Sequence, residues 1–227
     1  MFSMSDGSTP IEPAPAATVL VTRESDVGLE VLLLKRHRDL AFMPGAWVFP
    51  GGKVDQDDAG SDDVERARSA AVREVHEEAG IHVVADRLLT FSHWLTPEGV
   101  SRRFSTWFFV VTLTSVSPVT VCGSEIVDYQ WITPTDALAQ HRAGDLAMPP
   151  PTYVSLWELA RYSSLGELCG SVAASEPAQF FPKVIPLQKD LCFLYAGDAG
   201  YATGEPNLQG SRHRTMMVGG ILDYQRD

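Results

Sequence analysis

The sequence predicts an α/β fold, a sandwich in which one long helix docks on a mixed sheet. Two Val- and Leu-rich strands near the start carry that prediction, with a helix bearing a small apolar face and further strand-like runs before the second helix. Residues 17–22 and 30–35 read as strands joined by a polar turn through Asp26 and Gly28. Residues 36–46 form a basic, then mixed, loop. Trp47-Val48-Phe49-Pro50-Gly51-Gly52 follows, a short apolar run stopped by proline and paired glycine. The acidic stretch 55–63, with Gly60 and Ser61, reads as an exposed loop. A helix then runs from about residue 63 to 79 and stops at Gly80, since glycine readily takes the left-handed conformation that ends a helix.

Strands follow over residues 88–95, 104–114 and 128–132, and residues 134–141 begin a second helix with Thr135 as its candidate cap. Beyond Gly144 the style changes. Pro149-Pro150-Pro151 is a stiff break, 152–163 an amphipathic helix, 171–186 mixed and loop-like, and 191–195 a last strand. The expected organisation is a flexible Ser/Pro/Ala-rich lead over 1–16, a core over 17–144, and an extension over 145–227 packed on that core.

Composition narrows the function classes. With 227 residues, 44% hydrophobic and 21% charged, the chain can bury a proper core. The first residues lack a basic segment followed by an apolar one, so no secretory signal is expected. No run reaches the roughly 18 apolar residues a membrane helix needs, and no membrane partner is expected. Three cysteines, Cys122, Cys169 and Cys192, have neither metal-binding nor disulfide spacing and read as reduced, mostly buried thiols of a cytoplasmic protein. A net charge of −11 argues against nucleic acid as a partner, which wants a basic surface. An acidic protein can still act on an anion when metal ions bridge the two.

The chemistry concentrates in Arg73-Glu74-Val75-His76-Glu77-Glu78-Ala79-Gly80-Ile81. At about 100° per residue, Glu74, Glu77 and Glu78 share one helix face, while Ala71, Val72, Val75 and Ala79 form another suited to a sheet. Like charges at this spacing repel. Magnesium or manganese would relieve the repulsion, because both prefer hard oxygen ligands. A solvated acidic face on a surface helix is the plain alternative.

Residues 73–81 match the signature REUxEExGU of the Nudix hydrolases at every specified position, U being a bulky aliphatic residue. Glu65, eight residues before Arg73, stands where the longer box Gx5Ex7REUxEExGU places its first Glu. The opening glycine of that box is replaced by Ala59, and the nearest earlier glycines follow Phe49-Pro50, so the chain resembles a member with a short insertion around residues 56–62. The resemblance implies a Nudix α/β/α sandwich with a mixed sheet and, here, a partly helical C-terminal extension. It implies Mg2+ or Mn2+ as cofactor, held by Glu77 and Glu78, with Glu74 and the Gly52 carbonyl completing the set. Arg73 would orient the carboxylates and Glu65 would brace the loop. The implied activity is hydrolysis of a pyrophosphate bond in a nucleotide-type small molecule by in-line attack of water, with Glu78, Glu74 and Glu125 as candidate bases. A homodimer is implied by resemblance alone.

The substrate is less sharply indicated. Against the upstream motif LLTxR[SA]x3Rx3Gx3FPGG of the coenzyme A diphosphatases, Leu32, Leu33, Arg36 and Gly45 agree, while Leu34, His37 and Ala41 do not. Trp94-Leu95-Thr96-Pro97, the Phe104 strand and the segment from Pro149 resemble the peroxisomal-type branch of these enzymes. Lys35, Arg36 and Arg38 are candidate phosphate-binding residues, or else a solvated basic strand end. Pro97, sixteen residues past Ile81, resembles ADP-ribose-directed members. The expectation is thus cleavage of coenzyme A or an acyl-coenzyme A. The alternatives are ADP-ribose or a sugar nucleotide, and a non-catalytic nucleotide-sensing domain. Arg212-His213-Arg214 is expected in a solvated loop.

Overall fold

In a computed structural model, which describes residues 11–114 and 118–227, the described residues form two sheets and four α-helices. The larger sheet contains β1 (Ala14–Ser25), β2 (Gly28–Arg36), β3 (Trp47–Val48), β4 (Gly51–Lys53), β5 (Leu89–Leu95), β6 (Phe104–Thr112), β7 (Ile126–Ile132) and β8 (Ala178–Phe180). Its main order is β3-β2-β1-β6-β5-β8, with β4 paired to β1 and β7 to β2. The sheet is mixed because β1 runs parallel to β6, and β5 parallel to β8, while the other pairs are antiparallel.

Both faces of the sheet are covered, which is why its strands read as nearly continuous apolar runs. On β1 the pleat sends Val19 and Val21 to one side and Leu20 to the other, all fully buried. The first side receives α1 (Asp63–Ala79), whose Ala67, Ala70, Ala71, Val75 and Ala79 let the helix approach closely. The opposite side, with Leu20, Val31 and Leu33, packs under Tyr153, Leu156 and Leu168. These come from α3 (Pro150–Leu159) and α4 (Leu165–Ala174), which follow α2 (Pro134–Ala143). Each fully buried Val or Leu contributes roughly 1.5–3 kcal/mol.

The caps of α1 follow from local chemistry. Asp62 accepts a hydrogen bond from the Glu65 amide, and Gly80 ends the helix at φ 67° with its N–H donating to the His76 carbonyl. The cap of α2 is Thr133 rather than Thr135, because Pro134 occupies the first turn and the Thr133 hydroxyl accepts from the Asp136 amide. The N-terminal lead departs from expectation as well. Residues 1–10 lie outside the described residues, but strand β1 already begins at Ala14, where register with Phe104 of β6 is established.

The extension contains more sheet than expected. Strands β9 (Lys183–Leu187), β10 (Asp190–Leu194), β11 (His213–Val218) and β12 (Ile221–Arg226) form an antiparallel sheet in the order β12-β11-β10-β9. Of residues 212–214, expected in a solvated loop, His213 and Arg214 therefore lie in β11 and only Arg212 stays outside it. Arg214 is buried and donates from Nε and Nη2 to Asp198 at 2.7 and 2.6 Å, closing the loop between β10 and β11. Several ties join this region to the rest, two of them central. Strand β8 extends the larger sheet, and buried His141 of α2 bonds the Leu146 carbonyl through Nδ1 while its Nε2 accepts from the Leu222 amide. Cys192 is buried, but Cys122 is exposed, contrary to the expectation of mostly buried thiols.

Candidate active site

The docking face of α1 fixes where its acids point. With Ala71, Val75 and Ala79 against the sheet, Glu74 and Glu78 project toward the turn joining β3 and β4, while Glu77 stays exposed. Glu78 retains only 7% of its accessible surface, and its Oε2 accepts the Gly51 N–H at 2.9 Å. Glu74 lies so close to Gly52 that a Cβ there would overlap its carboxylate. At Gly51 a Cβ would collide with the Ala17 carbonyl of β1. The paired glycines thus allow close approach on both sides, to a strand and to a carboxylate.

Arg73 organises the acids. Its Nη1 donates to Glu74 Oε1 at 2.7 Å and to Glu77 Oε2 at 3.4 Å. Its Nη2 donates to the Lys53 carbonyl and to Asp58 Oδ2, both at 2.9 Å, and its Nε to Asp58 Oδ1 at 3.2 Å. Asp58 also accepts the Asp55 amide at 2.7 Å and is buried, so stretch 55–63 is not wholly the exposed loop expected. Burial alone would raise the Asp58 carboxyl, but bonds from Arg73 and the Asp55 amide hold it below its ordinary value. The local sequence gives little sign of this role, because Asp58 stands among Asp55, Asp57, Asp62 and Asp63. Glu65 bonds the amide and hydroxyl of Ser61, tying the inserted loop to the helix start. Gly60, one position after Ala59, lies where a Cβ would overlap the Arg66 amide.

Burial pushes the Glu78 carboxyl up to about 8 despite the Gly51 bond, and the neighbouring Glu74 charge adds to the rise. Glu74 is raised as well, by burial, against the pull of Arg73. Two desolvated carboxylates side by side are electrostatically incomplete, and a cation is what would complete them.

An open cavity of about 830 Å³ collects Gly52, Arg73, Glu74, Glu77, Glu78 and Glu125, and Arg36 reaches the same space. Of the other basic candidates, Lys35 lies over the Trp47 ring at 5.4 Å and Arg38 packs by Gly45, so neither lines this cavity. Arg102 and Lys53 line it instead, two exposed cations on the β5–β6 connection and on β4 that sequence reasoning missed. Nothing near them in sequence marks them as phosphate-facing.

A family model described as NUDIX domain matches residues 12–150. A Caenorhabditis elegans protein named nudix hydrolase 7 is 32% identical over 170 residues, which is 60% of this chain and 56% of that protein. Acyl-coenzyme A diphosphatase NUDT19 of Xenopus laevis is 25% identical over 285 residues, 82% of this chain and 75% of its own length. The chain therefore spans little more than half of the nematode relative. Among solved structures, a NUDIX hydrolase from Alicyclobacillus acidocaldarius superposes with a TM-score of 0.65 at 21% identity, over 73% of this chain and 99% of that one.

Proposed function

This chain belongs to the NUDIX domain family, and on that premise we propose that it is a metal-dependent pyrophosphohydrolase acting on coenzyme A or an acyl-coenzyme A. The observation that carries the reading is the convergence of Glu74 and Glu78 on the Gly51-Gly52 turn inside a cavity that also holds Arg36 and Arg102. The coenzyme A part draws on the frog relative's name and on the partial upstream motif.

Among the described residues, no three His, Cys, Asp or Glu side chains form a closed metal cage. The donor set nonetheless fits Mg2+ or Mn2+. It is all oxygen, and burial disfavours the ionised forms of Glu74 and Glu78 unless a cation compensates. Glu78, Glu74 and the Gly52 carbonyl would hold the ion, with Glu77 joining from the exposed edge. A bound ion supplies charge neutralisation at the phosphates and a more acidic water.

The chain's own residues do the rest. Arg36, Arg102 and Lys53 draw a polyanion to the cavity mouth. Arg73, fixed by Asp58, keeps Glu74 and Glu77 from turning away. Glu78, Glu74 and Glu125, the last of them exposed, line the same cavity and are the candidate carboxylates to accept a proton. Core residues 17–144 carry this chemistry, and residues 145–227 shape the adjoining space. No described helix is long and apolar enough to cross a membrane. The three free cysteines fit a cytoplasmic setting, and a homodimer is the assembly to test by light scattering.

The test is phosphate release through a coupled phosphatase, with magnesium or manganese, across coenzyme A, acyl-coenzyme A, ADP-ribose, NADH and sugar nucleotides. Dominant turnover of the coenzyme A compounds is expected. A dominant ADP-ribose signal moves the substrate, and silence from folded protein across the panel overturns the enzymatic reading.

A further inference from the structure

The acidic cavity adjoins a second, smaller one of about 200 Å³. The two share Thr18, Arg36, Phe42, Gly51, Phe104 and Thr106, so they meet along these residues. Beyond that junction the character changes. Trp94 and Phe108 of the larger sheet form one wall, and Pro150, Pro182, Phe193 and Tyr195 of the extension form the other. Arg36, at the junction, is the single charged group among the described residues lining this space. Arg102 and Lys53 border only the acidic side.

We propose that the apolar cavity receives the uncharged pantetheine-type arm of the substrate, a flexible chain of methyl, methylene and amide groups, while the charged nucleotide half stays in the acidic cavity. The inference rests on the coenzyme A reading and adds to it the orientation of the substrate and a role for the extension. The diphosphate must sit by the acids, so the two halves of the molecule divide between the two spaces. The nucleotide half bears a further phosphate on its ribose, and burying that charge without a partner is costly. The open cavity offers two exposed cations for it and the apolar one offers none past the junction. The pantetheine arm has no charge, and its methyl and methylene groups gain from burial against the aromatic and proline side chains of this space.

The experiment measures binding of phosphopantetheine and of adenosine 3′,5′-bisphosphate by calorimetry with magnesium, in the native protein and in Leu95→Trp and Pro182→Trp. Leu95, on β5, and Pro182, between β8 and β9, are both partly exposed lining residues, and melting curves show whether each variant is folded. The expected result is about tenfold weaker phosphopantetheine binding in both variants with unchanged bisphosphate binding. The reverse pattern, or no change for either ligand in a folded variant, overturns the proposal. Because binding is read apart from turnover, a protein that holds phosphopantetheine in this cavity but leaves coenzyme A intact refutes the function and spares the cavity.

Discussion

Replacing Asp58 by Ala tests whether the inserted loop holds the acids in place through Arg73. The substitution removes both acceptors of the Arg73 Nε and Nη2 bonds and strands the Asp55 amide. Breaking a buried ion pair costs about 3–5 kcal/mol. Arg73, however, is 27% exposed and keeps Glu74 and the Lys53 carbonyl, so the lower range for hydrogen bonds to charged groups applies, about 2 kcal/mol. For a chain of this size that lowers the melting temperature by roughly 4–8 °C. Function falls further than stability does. Freed from Asp58, Arg73 competes for Glu74 and Glu77, and the loss of such an orienting partner costs roughly 10–100-fold in metal affinity or activity. Melting in a chelator and turnover against magnesium concentration separate the two effects. Asp58→Asn, which keeps one acceptor, falls between. A native melting temperature together with a native magnesium dependence in Asp58→Ala refutes the reasoning.

Three other outcomes follow from the same geometry. Glu78→Gln abolishes turnover by orders of magnitude, yet raises the metal-free melting temperature above pH 8. The folded carboxyl sits near 8 against an ordinary 4.5, so the native protein loses stability as pH rises through that window and the amide does not; identical pH profiles for the two proteins count against the assignment. Gly51→Ala costs about 2–3 kcal/mol because its Cβ meets the Ala17 carbonyl of β1, which cannot yield, whereas Gly52→Ala displaces only the Glu74 side chain and affects activity more than melting. Paired melts of the two variants settle it, and equal destabilisation would contradict the geometry. Asp198, held at about 2 by Arg214 and the His213 and Gly200 amides against the opposing effect of burial, contributes stability that is present above pH 4 and lost as pH falls toward 2, about 2 kcal/mol in all. Acid titration of the melting temperature reads it, and Asp198→Asn is expected to flatten that limb.

The sequence by itself determined the parts whose physics is local. Helix α1 was legible because the alanine face and Gly80 act within a few positions of one another. The acidic face and the glycine turn were legible for the same reason, since spacing along one helix and the demands of paired glycines need no partner to be read. The alternation on β1 and β2 was masked by burial on both faces, but the apolar run still marked them as strands.

Only the tertiary structure decided the rest, because it depends on what lies across space. Asp58 became the anchor of Arg73 when the loop folded back over fifteen residues, and no nearby residue announced it. Arg36 was separated from Lys35 by strand alternation and from Arg38 by the loop that follows β2, while Arg102 and Lys53 were brought in from the β5–β6 connection and from β4. The antiparallel sheet of the extension was hidden for a related reason. Pro182, Pro186 and the paired glycines at 219 and 220 look like loop punctuation, and Arg214 looks like surface. Pairing across β9 to β12 and the ion pair with Asp198 fold those same residues into an ordered sheet, which brings Pro182, Phe193 and Tyr195 to the smaller cavity.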